Sequence, residues 1–185
     1  MWYEDFVKTN KDIFLQKVKE ISSLLGINPN WLMFVMRWES SLNPAAVNPI
    51  SGATGLIQFL PSTAKSLGTS TTALKNMSNI DQLDYVYKYY APYRGKIKSL
   101  YDCYLVVFFP AALGKPDSWI LQTSSTTPGI IAAQNPALDL NKDDKITVGE
   151  FKQYIDKKKS GVVDTSTILI GALALGFIGY LIFKD

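Results

Sequence analysis

Histidine is absent from the 185 residues, and cysteine occurs once. The first absence removes Ser-His-Asp and Cys-His catalysis and every imidazole-ligated metal site, because each needs a group that titrates near neutrality. Acid–base work therefore falls to carboxyl groups. A lone cysteine forms no internal disulfide, and Cys103 precedes the apolar run Tyr104-Leu105-Val106-Val107-Phe108-Phe109, where a buried, inert thiol is expected. An excess of either charge is lacking as well. A net charge of +3, with lysines interspersed among acids, gives no electrostatic footprint for nucleic acid. Residues 1–10 lack the basic start, apolar core and small-residue cleavage site of a secretory leader, so the chain is expected to begin as mature protein.

What is present is helical periodicity. From Asp12, apolar residues at Phe14, Val18, Ile21 and Leu25 recur at helical spacing with lysines on the other side, and Gly26 marks the stop. Asn28-Pro29-Asn30 is a cap and first-turn signal for a helix through Trp31-Leu32-Met33-Phe34-Val35-Met36-Arg37-Trp38. That helix is apolar on nearly every face and should be buried, with Glu39 emerging at its end. A short helix opens at Pro61, a polar Ser/Thr loop runs to Asn79, and two more helices are expected over about 80–92 and 99–110. Val106 to Phe109 on its own also suits a buried strand. Tyr85, Tyr87, Tyr89, Tyr90 and Tyr93 are expected to pack mainly on the core, with a sugar-stacking shelf as the alternative.

Glu39 is the acid with the most suggestive setting. Apolar neighbours in sequence would raise its pKa toward the range of a general acid, although Arg37 would lower it if the two side chains met. The segment reads Glu39-Ser40-Ser41-Leu42-Asn43-Pro44-Ala45-Ala46, then Ser51-Gly52-Ala53-Thr54-Gly55-Leu56-Ile57-Gln58-Phe59-Leu60-Pro61. Written as E-S-x-[FL]-N-P-x-A followed by G-A-x-G-L-x-Q-x-x-P-x-T-A, it resembles the lytic transglycosylase family of the lysozyme-like superfamily. The resemblance implies cleavage of bacterial peptidoglycan between N-acetylmuramic acid and N-acetylglucosamine. Glu39 would first protonate the leaving oxygen, then take the proton of the 6-hydroxyl, giving a 1,6-anhydro sugar. It also implies that Ser40 hydrogen-bonds near the acid and that Gly55, Leu56 and Gln58 line the groove. One departure stands out. Where many relatives read A-Y-N-A-G, this chain has Val107-Phe108-Phe109-Pro110-Ala111-Ala112, without the tyrosine and asparagine. That departure keeps open a non-catalytic wall-binding or structural membrane protein, and a goose-type muramidase, using the same acid but delivering water to the bond, is the other alternative.

A second pattern lies downstream. Asp139-Leu140-Asn141-Lys142-Asp143-Asp144-Lys145-Ile146-Thr147-Val148-Gly149-Glu150 matches the twelve-position EF-hand loop, whose alternating oxygen donors suit Ca2+. Asp139, Asn141, Asp143, Thr147 and Glu150 would supply side-chain oxygens and Lys145 its main-chain carbonyl. Asp144 stands where glycine is usual. A single hand of this kind is expected to act as a structural clamp. Farther on, 165–183 carries no charge and would span roughly 28 Å as a helix, enough for a bilayer.

The expected architecture is mainly α: a lysozyme-like transglycosylase domain over 1–123, an EF-hand-like module over 128–159 and one C-terminal transmembrane helix over 165–183. Lysines before that segment outnumber the one after it, which puts the enzyme on the cytoplasmic side of a cellular membrane. Such placement suits a phage virion membrane protein acting at entry, with a bacterial inner-membrane anchor as the alternative. Peptidoglycan, lipid and capsid or other virion proteins are the expected partners.

Overall fold

The computed structural model describes residues 1–161 as a mainly helical fold. The expected membrane segment 165–183 lies outside them. Among the described residues, no helix is long and apolar enough to cross a membrane.

Helix α1 (Lys11–Leu25) buries the stripe Phe14, Val18, Ile21 and Leu25, and Gly26 ends it at φ +72°, a left-handed angle that glycine adopts without a Cβ penalty. Helix α2 (Pro29–Ser40) starts where the Asn28 side chain accepts the Asn30 N–H and Pro29 supplies a ready-set φ. Its residues Leu32 to Met36 are all buried, as the unbroken apolar run demands. It is therefore a central helix, packed against α1 and against α6 (Leu100–Phe108).

Between α2 and α6 lie α3 (Pro61–Ser66), α4 (Thr71–Lys75) and α5 (Asn79–Tyr90). Helix α4 falls inside the segment read from sequence as a loop. Ser70 caps it by accepting the Ala73 N–H, and Leu74 anchors it in the core, which is enough to hold a single turn that periodicity cannot reveal. The 99–110 region is a helix, capped by Ser99, so its β-prone residues follow tertiary packing over local preference. Tyr90 is fully buried and donates to the Cys103 carbonyl, and the other four tyrosines of that cluster are partly buried against the core. Cys103 itself is buried, with its thiol pushed up to about 12 by desolvation.

The last two helices are α7 (Pro128–Gln134) and α8 (Val148–Lys159). They do not build a core of their own. Ile131, Leu138, Ile146, Val148, Phe151 and Ile155 belong to the same apolar cluster as α1, α2 and α6, and the Phe151 ring stacks on Phe108 at 5.2 Å. The 128–159 segment is thus packed as part of one body with the preceding residues.

One buried polar side chain fixes the irregular 41–60 segment to this frame. Gln82, on α5, accepts the Leu56 N–H at 2.9 Å and donates to the Pro44 and Leu74 carbonyls at 2.6 Å each. The Leu56 N–H and the Pro44 carbonyl depend on this amide, whereas the Leu74 carbonyl also accepts the Met77 N–H. Gln82→Leu keeps the volume but leaves the buried Leu56 N–H and the Pro44 carbonyl without this partner, and is expected to lower unfolding free energy by about 3 kcal/mol in urea titrations. A loss below about 1 kcal/mol would contradict the role given to this amide.

Candidate active site

Glu39 occupies the last turn of α2 and is only 2 % exposed. Two consecutive residues after the helix, Ser41 and Leu42, have φ of +56° and +61°. Left-handed geometry is uncommon for non-glycine residues and uncommon above all for bulky ones such as leucine. It turns the chain sharply away, and the Leu42 N–H reaches back to the Met36 carbonyl at 3.1 Å. Asn48 then organises a tight turn, with its side chain accepting the Ile50 and Ser51 N–H groups. Thr54 and Phe59 exchange both main-chain hydrogen bonds at 2.9 Å, so the Gly55–Gln58 turn is a closed loop beside the acid.

That loop and the neighbouring helices leave a narrow cleft with Glu39 at its wall. Gln58, Phe59 and Leu60 line it from the loop, Thr63 from α3, Tyr89 from α5 and Val107 from α6. Gln58 is the residue expected at the groove that the structure brings there. Its own φ is +55°, and its amide nitrogen donates to the Gly55 carbonyl at 3.1 Å.

Ser40, expected to hydrogen-bond near the acid, and Gly55 and Leu56, expected at the groove, all face the protein. Ser40 is buried, and its hydroxyl lies 3.0 Å from both the Met36 and Leu56 carbonyls, tying the helix end to the loop. Leu56 is fully buried, with its N–H held by Gln82 and its carbonyl facing Ser40, so its side chain belongs to the core. Gly55, at φ +87°, is needed because a Cβ there would collide with the Gln82 amide oxygen. Its close neighbour in the fold is a protein side chain. Gly52, at φ +70°, serves the turn geometry.

Burial dominates the electrostatics of Glu39. Desolvation raises its pKa from 4.5 to about 7, and the nearby Tyr104 hydroxyl and Lys158 ammonium pull in the opposite direction. Neither carboxyl oxygen has a hydrogen-bond partner at good geometry among the described residues. An acid left so is poised to give its proton to whatever enters the cleft. Arg37 does not hold it down. Its guanidinium lies 4.1 Å from the Phe6 ring centroid and donates to the Ser41 hydroxyl, on the other side of the helix.

Two neighbours of the acid carry no signal in the sequence. Tyr104, on α6, supplies a phenol beside Glu39 three positions before the Val107–Ala112 stretch that lacks one. Lys158, near the end of α8, is 3 % exposed and lies 4.1 Å from the Trp38 ring centroid. A run of three lysines does not show that its middle member is buried; only the helical phase shared with Phe151, Tyr154 and Ile155 hints at it.

The Asp139–Glu150 loop is closed by its own acids. Asp139 accepts the Asp143 and Asp144 N–H groups, Asn141 accepts Asp143 N–H, and Asp143 accepts Lys145 N–H. Lys142 and Asp144 both take φ +61°, so Asp144 adopts the turn for which glycine is usual. Glu150 reaches across to the Leu140 N–H with one oxygen and to Thr147 with the other. Thr147 is spent as the N-cap of α8 in a reciprocal capping box with Glu150. Residues 119–121 pair with the loop: Leu121 N–H donates to Ile146 and Val148 N–H to Trp119. No group of three Asp, Glu, Cys or His side chains stands together as a metal site among the described residues. The loop's oxygen donors, two of them an amide and a main-chain carbonyl, nonetheless fit a hard cation such as Ca2+ in kind.

A buried carboxyl with a raised pKa beside a cleft, with a side-chain amide and a phenol close by, has the chemistry that general acid catalysis requires. The comparison with known families agrees. Residues 17–88 match the family model described as the Transglycosylase SLT domain, which marks the protein as a peptidoglycan-cleaving lytic transglycosylase, a lyase. The match spans fewer than half of the 185 residues, from within α1 nearly to the end of α5, and includes Glu39 and the whole loop. No curated protein and no solved structure matches the chain.

Because the Glu39 pKa is raised on folding, its favourable contribution is full below about 4.5 and is lost as pH rises through about 7. Lys158 works in the other sense: burial lowers it from 10.5 to about 8, so its contribution is lost as pH falls through about 8. Glu39→Gln should therefore stabilise the fold at pH 8 and lose most of that gain at pH 5, as read by urea unfolding at the two values. An equal effect at both pH values would contradict the raised pKa.

Proposed function

We propose that the protein cuts the glycan strand between N-acetylmuramic acid and N-acetylglucosamine without consuming water. Glu39 gives its proton to the glycosidic oxygen as the C1–O bond breaks and the bonding pair leaves with that oxygen. The 6-hydroxyl of the same N-acetylmuramic acid bonds to C1, and its proton passes to the Glu39 carboxylate. Atoms balance, the acid is restored, and the product carries a 1,6-anhydro ring. The observation that carries this reading is the solitary state of Glu39: among the described residues, no other carboxyl lines the cleft as a candidate base or nucleophile.

The test is mass spectrometry of purified peptidoglycan after digestion by the wild type and by Glu39→Gln. Anhydro-muropeptides from wild type, with at least about a thousandfold less from the variant, are expected. Reducing ends in place of anhydro ends would make the protein a hydrolase of the same bond. Equal digestion by the variant would remove Glu39 from the chemistry.

The Asp139–Glu150 loop is read as a structural Ca2+ site in which Asp139, Asn141, Asp143, Glu150 and the Lys145 carbonyl hold the ion. The Thr147 hydroxyl stays with Glu150. Loop and α8 share the protein's core, so an ion here would stabilise the whole fold. Millimolar Ca2+ is expected to raise Tm by about 5 °C in the wild type and not in Asp139→Ala. An equal rise in both would place the effect elsewhere.

The uncharged run at 165–183, preceded by Lys157, Lys158 and Lys159 and followed by Lys184, supports a single-pass membrane anchor. A virion membrane whose enzyme face meets the host wall at entry fits that charge asymmetry, and capsid or other virion proteins would then be neighbours.

A further inference from the structure

The matched family segment ends at residue 88, yet α8, which begins sixty residues farther along, packs a buried side chain against Trp38, the residue before Glu39. Lys158 comes from that helix. We propose that Lys158 is the positioning residue for Glu39, a cation fixed behind the carboxyl that favours the carboxylate formed once the proton has been delivered.

The geometry is unusual for a lysine. Its side chain is almost wholly buried, lodged 4.1 Å from the Trp38 ring centroid and 4.9 Å from that of Tyr154. Ammonium over aromatic faces is attracted by the ring quadrupole, which offsets part of the lost hydration. Trp38 is the residue immediately before Glu39, so the contact holds the cation next to the acid's own helix turn. Lysines are rarely buried to this degree without a charged partner. Glu39 is the anion whose field Lys158 feels, and among the described residues neither Glu39 oxygen is hydrogen-bonded to it. A direct bridge would lock the acid as a carboxylate; a cation set back leaves it able to hold its proton and still steadies the charge that follows.

The titratable groups around the pair come from three helices. Glu39 faces Tyr104 from α6, Tyr89 and Tyr90 from α5, and Tyr154 and Lys158 from α8. Lys158 in turn feels Glu39 and Arg37, the latter opposing its charge. All the tyrosines are shifted upward by burial and stay neutral through the working range, leaving Lys158 as the cation that acts directly on the acid.

This inference rests on Glu39 being the acid. In the full chain, Lys158→Met keeps an unbranched side chain in the buried position beside Trp38 and removes the ammonium. The alkaline limb of kcat/KM should move up by about one pH unit, and kcat should fall about tenfold with KM unchanged. A limb and kcat identical to wild type would overturn the proposal. A further measurement needs no variant at Lys158. The Lys158 ammonium, followed by 15N NMR, should titrate near 8 in the wild type and lower in Glu39→Gln, where the anion is gone. An unmoved midpoint would overturn the coupling. Retained activity in Glu39→Gln would sink the acid assignment itself, whereas an inactive Glu39→Gln beside an unaffected Lys158→Met would sink only the role of Lys158.

Discussion

The structure depends on one uncomfortable burial. A carboxyl group has been carried to the end of a helix that is apolar on almost all sides and left there without a hydrogen bond among the described residues. Burying a carboxylate in such a place is strongly unfavourable, and neutralisation is the cheaper outcome. The rest of the fold supplies what makes that tolerable. Helices α1 and α6 exclude water around α2, the strained turn at Ser41 and Leu42 stops the helix at the acid, and Gln82 pins the loop that forms the other side of the cleft. The strained turn costs stability locally and is held by the packing around it.

That burial also explains the division of labour in the loop motif. Its small and polar residues have two kinds of task. Gln58 faces the cleft, where its amide can meet substrate hydroxyl or acetamido groups. Gly55, Leu56 and Ser40 face the protein and hold the loop at a fixed distance from α2. A motif that reads as a binding loop is thus half scaffold. The same holds downstream: Thr147 and Glu150 start α8 as cap and capping-box partner, and α8 delivers Phe151 to the core and Lys158 to the acid.

Much of this is legible in the sequence. The helix boundaries at Gly26, Asn28 and Ser99 follow from local chemistry that acts over a few residues, and Glu39 stands out because its neighbours along the chain are apolar. Helix α4 is hidden because one capped turn has no period to detect. The inward facing of Leu56 and Gly55 is hidden because their partner, Gln82, is remote in sequence and only the folded chain brings its amide to them. Tyr104 and Lys158 escape detection for a related reason. The tyrosine sits one turn away from where a family pattern would place a phenol. The lysine is indistinguishable in the sequence from its two neighbours, Lys157 and Lys159, until α8 is rotated onto the core.

The central claim is that Glu39 keeps its proton to near neutrality because of where the fold puts it. Its carboxyl can be followed directly by 13C NMR of glutamate-labelled protein, with Glu39→Gln identifying the resonance. A midpoint near 7 is the result this account predicts. A midpoint near 4.5, the ordinary value for the group, would show that water or a partner reaches the carboxyl, and the general-acid argument would fail with it.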